Sequence, residues 1–139
     1  MASSAKYFQV PGPLGEYYQK TGFSHAVVLP PNAQLVIVSG QGGSDSTTMK
    51  RVTSSTADQI EATLINCENA LKAAGVKEGL WAAHKVTCFL LDVSHEPILM
   101  EVWRRIYPGH RPTWMTVGTS GLCGKDMIVE VQVEAHVVP

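Results

Sequence analysis

Residues 127–138, MIVEVQVEAHVV, constrain the fold most. Ile128 excepted, apolar residues at 127, 129, 131, 133, 135 and 137 oppose Glu130, Gln132, Glu134 and His136. A period of two sustained this long is a strand with one buried and one polar face. Such a strand needs a sheet around it and a covering layer on its apolar side.

Helices supply that layer. In 56–74, Ile60, Thr63, Leu64, Cys67, Leu71 and Ala74 fall on one face at helical spacing. Thr56 with Gln59 fits a capping box, and Gly75 suits the position just past the helix end. A second helix is predicted after Ser94 as cap, with Glu96 and Pro97 in its first turn. Ile98, Val102 and Ile106 form part of its inner face, and Pro108 and Gly109 end it.

Around these, 23–29 (FSHAVVL) and 34–40 (QLVIVSG) read as strands joined across a PPN turn, hence a hairpin. The second is apolar on both faces and is therefore expected to be central. The stretch 41–55 reads as an exposed loop. Residues 81–92 form a buried strand, 113–120 a fourth strand, and 121–126 a turn into the last. Residues 1–22, rich in Gly, Pro and Tyr, read as an irregular arm. The expected order is β-β-α-β-α-β-β, an α+β layer with both helices on one face of the sheet. The other face is left for a partner subunit to cover.

Length and composition narrow the function classes. The 139 residues suit a single domain spanning 1–139, able to fold without metal or disulfide. A net charge of -1 excludes the basic footprint of a nucleic-acid binder. Charged residues are only 17%, low for a soluble domain, which favours self-association. No stretch has the pattern of a signal peptide or the roughly 18 apolar residues of a membrane span, so a cytoplasmic protein is expected. Cys67, Cys88 and Cys123 show no paired spacing; the first two read as core and the third as a loop thiol that could edge a cleft. His84, His95, His110 and His136 have no ligand spacing and read as surface residues, and no metal is expected.

Several segments together are more specific than any one. FSHAVV, VSGQ, ADQIEATLINCENALKAAG, KVTCFLLD and VEVQVEA occur in that order from about residue 22 to 137. This series resembles the RidA/YjgF family of imine and enamine deaminases. The resemblance implies a chorismate-mutase-like fold, a homotrimer packed as a barrel, and small-molecule clefts between neighbouring subunits, with no cofactor.

It also implies a site. Ser39, Gly40 and Gln41 of VSGQ would line the cleft, and Glu130 would position the attacking water, with Glu134 as fallback if the 121–126 turn is longer. Where the family reads Tyr-Ser-Gln-Ala, this chain has Phe23, Ser24, His25 and Ala26. Where the family places a carboxylate-clamping arginine, this chain has Trp114, in the run Pro112, Thr113, Trp114, Met115, Thr116, Val117. Phe23, His25, Arg111, Trp114 and Thr116 complete the expected binding set. An indole offers an N–H and a flat apolar face without charge, suited to a planar conjugated ligand. Plain core packing is the rival reading for Trp114, and a solvated strand position for Glu130. No base adjoins Ser39 as in a triad, so it is no nucleophile.

The expected function is an enzyme acting on a reactive imine, enamine or related planar intermediate, with Glu130 as acid/base. Loss of the clamp predicts weak deamination of simple 2-iminoacids. A non-catalytic metabolite-binding or scaffold trimer is the alternative.

Overall fold

The computed structural model describes residues 5–139. Nine elements follow in order: β1 (Lys6–Phe8), α1 (Pro13–Thr21), β2 (Ala26–Val28), β3 (Gln34–Ile37), α2 (Thr56–Ala73), β4 (Ala83–Leu90), α3 (Glu96–Ile106), β5 (Thr113–Gly118) and β6 (Val129–Val137). The main sheet has the order β3-β6-β4-β5; β4 and β5 run parallel and the other pairs antiparallel. The strand with the clearest alternation thus lies inside the sheet. Its Val129, Val131, Val133 and Ala135 are all buried.

Above that face lie α2 and α3. Ile60, Leu64, Cys67 and Leu71 descend from α2, and Leu99, Val102 and Trp103 from α3, onto Val86, Cys88 and Leu90 of β4. Trp103 is fully buried; emptying such a site costs about 3–5 kcal/mol. Ala74 is exposed, so the inner face of α2 stops at Leu71. The opposite sheet face is open: Leu35, Ile37 and Met115 are 53%, 65% and 57% exposed. Among the described residues no helix is long and apolar enough to cross a membrane.

Several expectations are corrected. Residues 5–22 are not irregular: β1 pairs with β2, with Phe8 opposite Ala26, and α1 follows. Pro13 opens α1, and Gly22, at φ 102, closes it by donating its N–H to the Tyr18 carbonyl at 3.1 Å. The hairpin between β2 and β3 does not form, because β1 takes the edge of β2 while β3 crosses to β6. Nor is β3 central. It is an edge strand whose second apolar face, Leu35 and Ile37, looks outward.

Helix starts also differ. Ser55, not Thr56, caps α2, its hydroxyl accepting from the Asp58 N–H at 3.0 Å. Ser94 caps nothing: Asp92 accepts from the Ser94 N–H at 2.9 Å, and residues 93–95 form a 3-10 turn leading into α3. Trp81 and Ala82 likewise belong to a 3-10 turn ahead of β4.

Candidate functional site

The site begins with a break in the strand ladder. Val38 donates to the Val133 carbonyl at 3.1 Å, while Gln41 and Val131 exchange N–H···O bonds at 2.8 and 3.0 Å. Three steps along one strand therefore match two along β6. Ser39 and Gly40 form a bulge against the single residue Gln132, a device that re-aims nearby groups. Glycine leaves room for the Glu130 carboxylate: a Cβ on Gly40 would meet its Oε2 and displace it. The VSGQ run thus lays bare backbone against a carboxylate, and Gln41 Nε2 donates to the Ser39 carbonyl at 3.1 Å.

Beside Glu130 opens a cavity of about 430 Å³, walled by Gly40, Gln41, Ser44, Arg51, Asn66 and Glu130, with Asp45 and Met127 at its edge. The loop over it is held from α2. Asn66 Nδ2 donates to the Gly42 and Ser44 carbonyls at 2.8 and 2.9 Å. About two turns earlier, Gln59 Nε2 donates to the Val52 and Asp126 carbonyls at 2.9 and 3.1 Å, and Gln59 Oε1 accepts from the Ile128 N–H at 2.8 Å. Gln59 is therefore no capping residue but a buried staple joining both loops to the helix. Asp45 accepts from the Thr47 and Thr48 N–H groups, which hold its carboxyl below the usual range. Sequence reasoning missed Asn66. Its signal was an amide seven residues after Gln59 on one helix stripe, facing a glycine-rich loop.

Of the expected site residues, Ser39, Gly40, Gln41 and Glu130 come together here. The others gather elsewhere. Trp114 lies beside Val86, on the helix-covered face of β5, with ring centroids 5.6 Å from Phe23 and 5.0 Å from Trp103. Its indole Nε1 donates to Thr116 Oγ1 at 2.9 Å. His25 stacks on Tyr18 at 3.8 Å, with Nδ1 3.0 Å from Gln9 Oε1. Arg111 donates from Nε to the Gln19 carbonyl at 2.7 Å and from Nη1 to the Gly109 carbonyl at 3.1 Å, clasping α1. Cys123 is exposed, and Cys67 and Cys88 are buried free thiols.

Glu134 lies at a second ladder irregularity, between Ala83 and Lys85. The extra residue there, His84, is buried rather than on the surface, because the bulge turns its ring into contact with β6. Its Nε2 is 3.0 Å from Glu134 Oε2 and its Nδ1 is 3.0 Å from His136 Nδ1. His95, His110 and His136 are half-buried, not surface residues. His110 is locked by Nε2 at 2.7 Å from the Ala83 carbonyl, and burial holds its pKa below the ordinary value. Among the described residues no three His, Cys, Asp or Glu side chains converge as a metal site.

Over residues 16–137 the chain matches the family described as Endoribonuclease L-PSP. Its fold is that of YyfB from Yersinia pestis, a protein of unknown function of the conserved Rid family: TM-score 0.81 and 13% identity, covering 97% of this chain and 100% of that one. Rv2704 of Mycobacterium tuberculosis, of the YjgF/YER057c/UK114 family, is similar at TM-score 0.64 and 25% identity, over 96% and 100% of the two chains. TdcF of E. coli, solved with bound serine, gives TM-score 0.66 and 23% identity, over 83% and 93%. No curated protein matches the sequence.

Proposed function

The chain belongs to the RidA/YjgF family, that of Endoribonuclease L-PSP, and on that footing we propose that the cavity beside Glu130 is a small-molecule active site. Its substrate is a reactive imine, enamine or related planar conjugated intermediate. The observation that carries this reading is the Glu130 carboxylate held against the Ser39–Gly40 bulge at the wall of a cavity. Among the described residues the Ser39 and Gly40 N–H groups have no ladder partner, so they are free to face developing negative charge.

For an imine the step is hydrolysis. Glu130 takes a proton from water as its oxygen bonds to the imine carbon and hands it to nitrogen, giving a carbinolamine; the proton of the new hydroxyl then passes through Glu130 to the amine as the C–N bond breaks. Ammonia and a carbonyl compound leave, and no cofactor is consumed. Cleavage of a polyanionic phosphodiester chain fits the cavity poorly, since its lining holds one guanidinium, Arg51, and two carboxylates, Asp45 and Glu130. The bound serine of TdcF supports small-molecule binding on this fold.

The assembly belongs to the same reading. The open sheet face, with Leu35, Ile37 and Met115 exposed, is apolar enough to be covered by neighbours in a homotrimer. Free buried thiols suit a reducing cytoplasm.

The test combines a thermal-shift ligand screen, turnover assays on the hits and on enzymatically generated 2-iminoacids, and light scattering for mass. Glu130→Gln should keep the trimer and ligand binding while turnover falls about 10²–10⁴-fold. Unchanged turnover in that variant would sink the catalytic reading and leave a metabolite-binding trimer. A monomer by light scattering would refute the homotrimer.

A further inference from the structure

Near the far end of β6, about 20 Å along the strand from Glu130, His136 borders a separate cavity of about 560 Å³. It shares no wall with the Glu130 cavity. Tyr7 of β1, Trp81 of the turn ahead of β4 and His110 supply aromatic walls, and the exposed Lys77 and Glu78 stand at its edge. The His110 ring centroid lies 5.9 Å from those of both Tyr7 and Trp81. One carbonyl pins two of these rings: the Ala83 oxygen accepts from the Tyr7 hydroxyl at 3.4 Å and lies 2.7 Å from His110 Nε2. The walls are therefore set before any ligand arrives, around a volume ordinary for a small-molecule site.

A hydrogen-bonded chain fixes what His136 offers to that space. The Glu134 carboxylate can only accept, so His84 Nε2 carries the proton across their 3.0 Å contact. With His84 neutral, its Nδ1 is then a lone pair, and His136 Nδ1 donates to it at 3.0 Å. Burial and the nearby His84 hold the His136 pKa below its ordinary value, so this ring is neutral and its Nε2 is left as a bare acceptor. His84, the extra residue of the bulge, is buried, so water does not compete for its two nitrogens.

We propose that this cavity is a second small-molecule site and that its ligand is a phenol, a flat neutral ring whose hydroxyl donates to His136 Nε2. The ring has the Trp81 indole to stack on, and the O–H meets the acceptor that the Glu134–His84–His136 chain presents. An aryl carboxylate would set oxygen lone pairs against that acceptor, and the exposed Lys77, beside Glu78, repays it little. The site stands apart from the Glu130 reading and does not depend on it.

The experiment titrates the full chain with p-cresol, its methyl ether, and benzoate, followed by tryptophan fluorescence and by nitrogen NMR of the backbone and the histidine side chains. In the free protein His136 Nε2 should give a pyridine-like signal, and p-cresol should shift it and bind more tightly than either other probe. His136→Phe keeps a ring without an acceptor; it should weaken p-cresol about 3–10-fold, the worth of one hydrogen bond, and leave the ether unchanged. Trp81→Ala should weaken both alike. Glu134→Ala should shrink the preference for p-cresol over the ether although Glu134 touches neither, the mark of a positioning residue. A pyrrole-like His136 Nε2, equal affinity for p-cresol and its ether, tighter binding of benzoate, or shifts confined to Gly40 and Gln41 would each overturn the assignment.

Discussion

Replacing Gln59 by Met should cost far more than its place in the first turn of a helix suggests. The side chain is 2% exposed and makes three hydrogen bonds to backbone, at 2.9, 3.1 and 2.8 Å. Methionine fills similar volume but satisfies none of them. At about 1 kcal/mol for each bond lost, the variant should be destabilised by about 3 kcal/mol. For a chain of this length that is roughly a 10 °C fall in Tm. Val52 and Ile128 are only half-buried and Asp126 is exposed, so water can replace part of the loss and larger values are not expected. Calorimetry at one fixed protein concentration measures it, since association adds its own stability. Amide exchange gives the second signature: the Ile128 N–H, which donates to Gln59, should lose protection before the centre of β6 does. A loss below about 1 kcal/mol, the size of a simple helix cap, would refute the staple.

Other outcomes follow from the same contacts. Gly40→Ala should keep the fold but lower turnover about 10²-fold, because the new methyl displaces the Glu130 carboxylate. Unchanged kcat/KM would show that this contact does not position the acid/base. Thiol titration of the folded protein should find Cys123 alone reactive, since burial pushes the Cys67 thiol up to about 12 and that of Cys88 well above its ordinary value. Rapid labelling of either buried cysteine would contradict the packing. Burial lowers the pKa of His110, and burial with the nearby His84 lowers that of His136, from 6.5. The unfolded chain then takes up protons first as pH falls. Stability should be complete above about 6.5 and decline below it, until the folded-state values are reached. A Tm flat from pH 8 to 5 would refute that sign.

The parts of the fold legible in the sequence are those where one period runs unbroken. Residues 127–138 alternate, and β6 buries Val129, Val131, Val133 and Ala135 as that alternation requires. The face of α2 from Ile60 to Leu71 was readable for the same reason. What stayed hidden depends on partners distant in sequence. No local pattern tells β2 to pair with β1, or β3 to lie at the edge of β6. The helix α1 did carry a signal, Pro13 at its start and Gly22 past its end, masked by the Gly and Pro content around it. Gln59 fitted a local capping pattern, and a tertiary role overrode it.

The candidate site was half legible, and the division has a physical cause. Motif position pointed to Gly40, Gln41 and Glu130, which meet at one wall. Trp114 faces the other side of the sheet, because period two from Val86 and its neighbours puts it over the core. Both irregularities in the ladder, at Ser39–Gly40 and at His84, are places where an extra residue resets the alternation. Counting alternate residues misassigns faces at such points. They are also where half-buried carboxylates find unusual neighbours: Glu130 against bare glycine backbone, and Glu134 against a buried imidazole. A regular strand would present both as ordinary polar positions on an open face. The bulges, which cost ladder hydrogen bonds, instead convert them into positioned groups.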